Sequence, residues 1–219
     1  MNNSLNIAGD AGLRFFGRIS ASISHELRNA LSIINESAGL LEDLTFMAQK
    51  GTPIDSTRLQ TTAKRIQQQV GRADEIIKNM NNFSHSIDRP LSTVDVYELL
   101  AHLTVLTRRL TDMKGVQVLC ESATAPIMVT TAPFFLQTLL WHLIDFAVSV
   151  LGDSKAVMLS VTKDQQNVTI YLKQLNALIP EQVKGFPGDA ETALTGKLGA
   201  EVTMAPGCIR LKLPQGSAY

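Results

Sequence analysis

An imidazole displayed on a helix with a carboxylate beside it and an amide one turn further on is equipped for nucleophilic chemistry. His25, Glu26 and Asn29 have that spacing. One ring nitrogen must be unprotonated to attack, and an acceptor at the other nitrogen fixes the tautomer. At about 100° per residue, Ile23, Leu27, Leu31, Ile34 and Leu41 fall on one side of a helix, and His25 points about 180° from the middle of that stripe. A core histidine would lie within the stripe, so His25 is expected to face away from it. Ser22, Asn29, Ser32 and Glu36 extend the same polar ridge. On spacing alone, a solvated helix face that includes a histidine is the blander account.

The elements that must position this ridge are two long amphipathic helices. The first runs from about Asp10 to about Gln49, where Gly51-Thr52-Pro53 stops it. Asp55 or Ser56 is a plausible N-cap for the second, which continues to about Asp88. In the first helix the apolar stripe is Phe16, Ile23, Leu27, Ala30, Leu31, Ile34, Ala38 and Leu41; in the second, Leu59, Ile66, Ala73, Met80 and Ile87 form one seven-residue row and Ala63, Val70 and Ile77 another. Such repeats place a helix along a seam. A short loop makes the pair an antiparallel hairpin, and one hairpin buries only one face of each helix. A second copy would complete a four-helix bundle, so a homodimer is expected.

After Arg89-Pro90 the pattern changes. Asp95-Val96-Tyr97-Glu98 reads as a capping box opening a helix to about Asp112. Strands are expected near 116–120, 127–129, 156–161 and 168–173, an apolar helix over 134–151, a short helix over 189–197, and a closing hairpin over 200–204 and 208–213. The fold class is α+β, with domains at 1–90 and 91–219.

Ser24-His25-Glu26-Leu27-Arg28-Asn29-Ala30-Leu31 then shifts the balance at His25. It resembles the H-box of sensor histidine kinases, usually His-Glu-Leu-Arg-Asn/Thr-Pro-Leu, with Ala30 in place of the proline. The second helix, the Val94-Asp95 lead-in and the final Ile209-Arg210-Leu211-Lys212-Leu213-Pro214 strand extend the likeness over most of the chain. The resemblance implies that His25 accepts a phosphoryl group, that Glu26 orients its ring and that Asn29 helps place a hydrolytic water. It implies receiver docking near His25, with Phe15, Phe16, Ser22, Arg28 and Ser32 as candidate contacts. It also implies a dimeric four-helix bundle followed by a Bergerat-type α/β sandwich.

The nucleotide boxes of that second domain are degenerate. Trp141 and Asp145 stand where two asparagines would be, and Gln174-Leu175-Asn176-Ala177-Leu178 replaces the usual Asp-x-Gly-x-Gly before Ile179-Pro180. Leu178 puts a branched side chain where a backbone alone fits. The glycine-rich lid is reduced to Gly185-Phe186-Pro187-Gly188 and a short helix. An acceptor kept while an ATP site is lost suggests a histidine phosphotransferase, passing phosphate between receiver aspartates through His25. The alternatives are a receiver phosphatase acting through Glu26 and Asn29, or a pseudokinase scaffold that binds response regulators; a residual kinase comes last.

No cofactor of its own is expected, since Mg2+ would sit on the partner receiver. His85, His102 and His142 have no metal-ligand spacing and read as structural or surface residues, and no metal site is expected. Cys120 and Cys208 read as buried thiols of a reducing compartment. Twenty basic residues balance twenty acidic ones, so no net field invites nucleic acid or an anionic membrane. No apolar run is long enough to span a bilayer. Met1-Asn2-Asn3-Ser4 lacks the character of a signal peptide, and few residues precede His25, so a cytoplasmic protein without its own sensor domain is expected.

Overall fold

The computed structural model describes residues 2–88, 90–122 and 125–215; Met1 and Arg89, both used in the reading above, lie outside these. Two long helices come first, α1 (Asn2–Gln49) and α2 (Ser56–His85). α1 therefore begins earlier than expected. Asp55 caps α2 by accepting from the Thr57 N–H at 2.8 Å. There follow β1 (Ser92–Asp95), α3 (Val96–Asp112), β2 (Gln117–Cys120), β3 (Met128–Thr131), α4 (Pro133–Ser149), β4 (Ala156–Lys163), β5 (Asn167–Leu175), a 3-10 turn (Pro180–Gln182), α5 (Asp189–Leu198), β6 (Glu201–Ala205) and β7 (Gly207–Pro214). The architecture is α+β.

The chain forms two compact units, Ser20–Asn82 and the remainder, Met1–Ile19 with Phe83–Tyr219, so the head of α1 groups with the sheet.

In the first unit the helical hairpin closes along a heptad seam. Ile23, Ala30, Ser37 and Leu44 of α1 are buried, as is Thr62 of α2, while Leu59, Ile66, Ala73 and Ile76 are half-buried. Arg65 reaches Glu36 at 3.7 Å and Arg72 reaches Glu26 at 3.6 Å, so ion pairs flank the seam.

The second unit is built on a five-stranded sheet in the order β2-β4-β5-β7-β6; β2 and β4 run parallel and the other pairs antiparallel. Alternation decides its inner face: Val157, Leu159 and Val161 on β4, Val168, Ile170 and Leu172 on β5, and Ile209, Leu211 and Leu213 on β7 are all buried. Against them lie α3, capped by Asp95 on the Tyr97 N–H at 3.0 Å, and α4, whose Leu136, Leu139, Leu140, Leu143 and Ile144 are fully buried. A separate ribbon pairs β1 with β3, joined by a 2.9 Å bond between the Thr93 and Thr130 hydroxyls. β1 was not expected as a strand.

The head of α1 completes this unit through Ala8, Ala11, Phe15 and Ile19, all buried at helical spacing. Phe15 meets Phe83 edge-on at 5.3 Å and stacks on Trp141 at 6.1 Å. Gly12 lets α1 approach α4: a Cβ there would lie 2.6 Å from the Phe134 ring.

Candidate functional site

His25 is exposed on α1, as its place off the apolar stripe requires, and Arg28, Asn29 and Ser32 are exposed with it. Ser24, next to it, returns its hydroxyl to the Ser20 carbonyl at 2.8 Å and so stays on its own helix. Among the described residues no hydrogen bond engages the His25 ring.

Glu26 turns toward the seam. It is half-buried and pairs with Arg72 of α2 at 3.6 Å. Arg72 is a residue that sequence reasoning missed. Its position beside Ala73 in the seven-residue row of α2 carried the signal that it borders the seam, but not which acid of α1 it meets.

Two candidate docking residues need correction. Ser22 does not share the exposed ridge: it is 5% exposed, and its Oγ is a buried atom without a partner. Phe15 is 2% exposed within the aromatic cluster of the sheet unit, so it offers no surface to a receiver. Phe16, half-exposed, stacks on Phe83 at 5.7 Å. The structure thus keeps His25, Arg28, Asn29 and Ser32 together on the surface of the hairpin unit, and assigns Phe15 and Phe16 to the sheet unit.

In the sheet unit, the residues standing at nucleotide-box positions are committed to internal contacts. Trp141 is 3% exposed beneath Phe15, with the Arg18 guanidinium 5.1 Å from its ring centroid. Asp145 holds Lys114 at 2.6 Å and Arg18 at 3.6 Å. His142 Nδ1 lies 2.5 Å from a Glu191 carboxylate oxygen. The other oxygen of Glu191 accepts the Gly188 N–H at 2.8 Å and so caps α5. The bond from His142, with the Gly188 N–H helping, holds the Glu191 carboxyl below its usual range against the opposing effect of burial. Leu178 is 2% exposed, and its N–H is bonded to the Leu175 carbonyl at 2.8 Å.

A cleft of about 510 Å³ remains beside these groups, walled by Arg14, Lys114, Trp141, Phe146 and Phe186. Asp145 in its wall is paired with Arg18 and Lys114. Among the described residues no group of three His, Cys, Asp or Glu side chains could hold a metal ion, and no helix is long and apolar enough to cross a membrane.

Residues 17–89 match the His Kinase A (phospho-acceptor) domain. Among proteins of curated function none matches the sequence. Of solved structures, the Acinetobacter baumannii histidine kinase AdeS is 13% identical, covering 88% of this chain and 98% of its own, with a TM-score of 0.45. A nucleotide-free form of the catalytic domain of histidine kinase ThkA is 11% identical over 57% of this chain and 97% of its own, TM-score 0.46. ThkA in complex with the response regulator protein TrrA is 14% identical over 93% of this chain and 63% of its own, TM-score 0.44. Residues 17–89 are thus similar to a phospho-acceptor domain, and His25, the histidine of the H-box-like stretch, is exposed within them.

Proposed function

We propose that the protein is a histidine phosphotransferase, relaying a phosphoryl group between receiver-domain aspartates through His25. The observation that carries this reading is the pairing of an exposed His25 with a nucleotide-box region whose Trp141 and Asp145 are occupied by Phe15, Arg18 and Lys114. An unprotonated nitrogen of His25 attacks the phosphorus of a receiver's aspartyl phosphate. The phosphorus–oxygen bond to the carboxylate breaks, and the aspartate leaves as its anion. A second receiver takes the group by the reverse step, with Mg2+ held on the receiver. Such transfer needs chiefly positioning and charge stabilisation, which a small exposed constellation can supply. Arg28 and Ser32 flank His25 as docking contacts, and a second copy of the chain completes the bundle.

The test begins with labelled ATP and Mg2+, comparing wild type with His25→Ala. Neither becoming labelled is the expected result; label on the wild type that vanishes in the variant would make the protein a kinase. Phosphorylated receivers are then screened, and transfer lost in His25→Ala is expected. The exposed Asn29 favours a second reading, receiver dephosphorylation; there Asn29→Ala would abolish release of inorganic phosphate while leaving His25 labelled.

A further inference from the structure

His85 closes α2 with its side chain 74% exposed, and its Nδ1 lies 2.9 Å from Oδ2 of Asp88, whose side chain is 70% exposed. The residues around it are fixed. Phe83 is 0% exposed and packs against the Phe15, Phe16 and Phe134 rings, while Ser86 is buried with its hydroxyl bonded to the Phe83 carbonyl at 2.6 Å. The Ser86 and Ile87 N–H groups close the turn on the Phe83 and Ser84 carbonyls. On an anchored turn with a carboxylate beside one nitrogen, the neutral imidazole is favoured in the tautomer that keeps the proton on Nδ1 and leaves the Nε2 lone pair facing solvent.

The other histidines lack part of this arrangement. His25 has no partner on its ring among the described residues, and Glu26 faces Arg72. His142 also has a carboxylate on Nδ1, but its side chain is only 25% exposed and Glu191 is spent on α5. His102 is half-buried on α3.

We infer that His85 is a second phosphoryl-accepting imidazole, taking phosphate at Nε2 from an acyl-phosphate donor, with Asp88 as its positioning residue. The Nε2 lone pair bonds to phosphorus, the phosphorus–oxygen bond to the acyl group breaks, and a carboxylate leaves. The ring keeps its Nδ1 proton, and the Asp88 carboxylate balances the positive charge that the substituted ring acquires. The inference rests on the reading above only in that such donors must meet this protein; it does not require His25.

Intact protein carrying His25→Ala is incubated with acetyl phosphate, and separately with phosphoramidate, and phosphohistidine is located by mass spectrometry under alkaline conditions. Label at His85 is expected, formed faster than at His102 or His142. Asp88→Asn should slow it about tenfold, the scale of loss when the carboxylate that orients a metal-ligating imidazole is removed, and Asp88→Glu should restore most of the rate. Because both side chains are exposed, these variants should keep the wild-type circular dichroism. No label at His85, a rate no greater than at the other histidines, or a rate indifferent to Asp88→Asn would each overturn the inference. Failure at His25 in the wild type with receivers bears on the relay reading instead, so the two can fail separately.

Discussion

Gly12 and Gly17 lie on the same helix, yet the same substitution should act on them in opposite directions. Around Gly17 a Cβ would find nothing within 4 Å, so Gly17→Ala should stabilise the protein by about 0.5–1 kcal/mol through helix propensity and the lost freedom of the unfolded chain. At Gly12 the added carbon would meet the Phe134 ring at 2.6 Å, and that ring is held against Phe83 and Phe135. Overpacking outweighs propensity there, and Gly12→Ala should cost about 1–3 kcal/mol. Urea denaturation followed by fluorescence of Trp141, the one tryptophan, measures both. If both variants were stabilised, α1 would not press on α4 at Gly12. The same contacts bear on Asp145. Removing its charge in Asp145→Asn leaves Arg18 and Lys114 without their shared anion, so Trp141 emission should shift as the guanidinium above it loses its anchor, with a modest stability loss of under about 1 kcal/mol because the pair is partly exposed.

Among the elements, α5 depends on one carboxylate. Glu191 caps the helix through the Gly188 N–H and ties it to α4 through His142, and its carboxyl titrates below the usual range. A depressed pKa in the folded state means stability that is present above the unfolded-state value, about 4.3, and is lost as pH falls through the folded-state value. Glu191→Gln should therefore be less stable than wild type at neutral pH by about 1–3 kcal/mol, and the gap should close below about pH 4. Thermal melts across pH 3–7 would show this; a gap constant with pH would mean that the charge of Glu191 contributes nothing. None of this was legible in the sequence, because residues 142 and 191 meet only after α4 and α5 have packed. What was legible followed from local rules. The Asp95 cap, the stop at Gly51, the alternation along β4, β5 and β7, and the exposure of His25 each need only neighbours within a turn or a pleat. β1 escaped because four residues pairing with β3 have too little pattern of their own. Along α1 a single stripe passing through Phe16 was expected, whereas Phe15 is the more deeply buried. A helix of 3.6 residues per turn drifts against a seven-residue repeat, and the head of α1 belongs to a different compact unit from the rest, so no single stripe describes it. Trp141 and Asp145 were singled out in the sequence, but that Phe15 and Arg18 pack against them was not, since contacts so distant in sequence leave no local trace.

At the scale of the whole molecule, the hairpin unit shows more apolar surface than one chain can cover. Its own seam is narrow and partly polar, with Ser37 and Thr62 among its buried residues and Gln69 holding a buried oxygen without a partner. Meanwhile Leu31 is 60% exposed, Val70 46% and Ile77 47%. Val70 and Ile77 lie seven residues apart on α2, the repeat of a helix that faces another helix rather than water. Exposed apolar residues at this spacing are what a helix interface would cover, and we predict that a two-fold pair of hairpins buries the same row on both copies. The double substitution Val70→Glu, Ile77→Glu would place four like charges in that interface. Losing about 3 kcal/mol there corresponds to a dissociation constant raised more than a hundredfold. Sedimentation equilibrium should then show the wild type as a dimer and the variant as mostly monomer at micromolar concentration. Phosphoryl acceptance by His25 should fall with the dimer, because two helices joined by one loop keep their form poorly without the packing of a second pair. If the variant stayed dimeric, the Val70 and Ile77 row would lie outside the interface, and the contact that holds two copies together would have to be sought on another face.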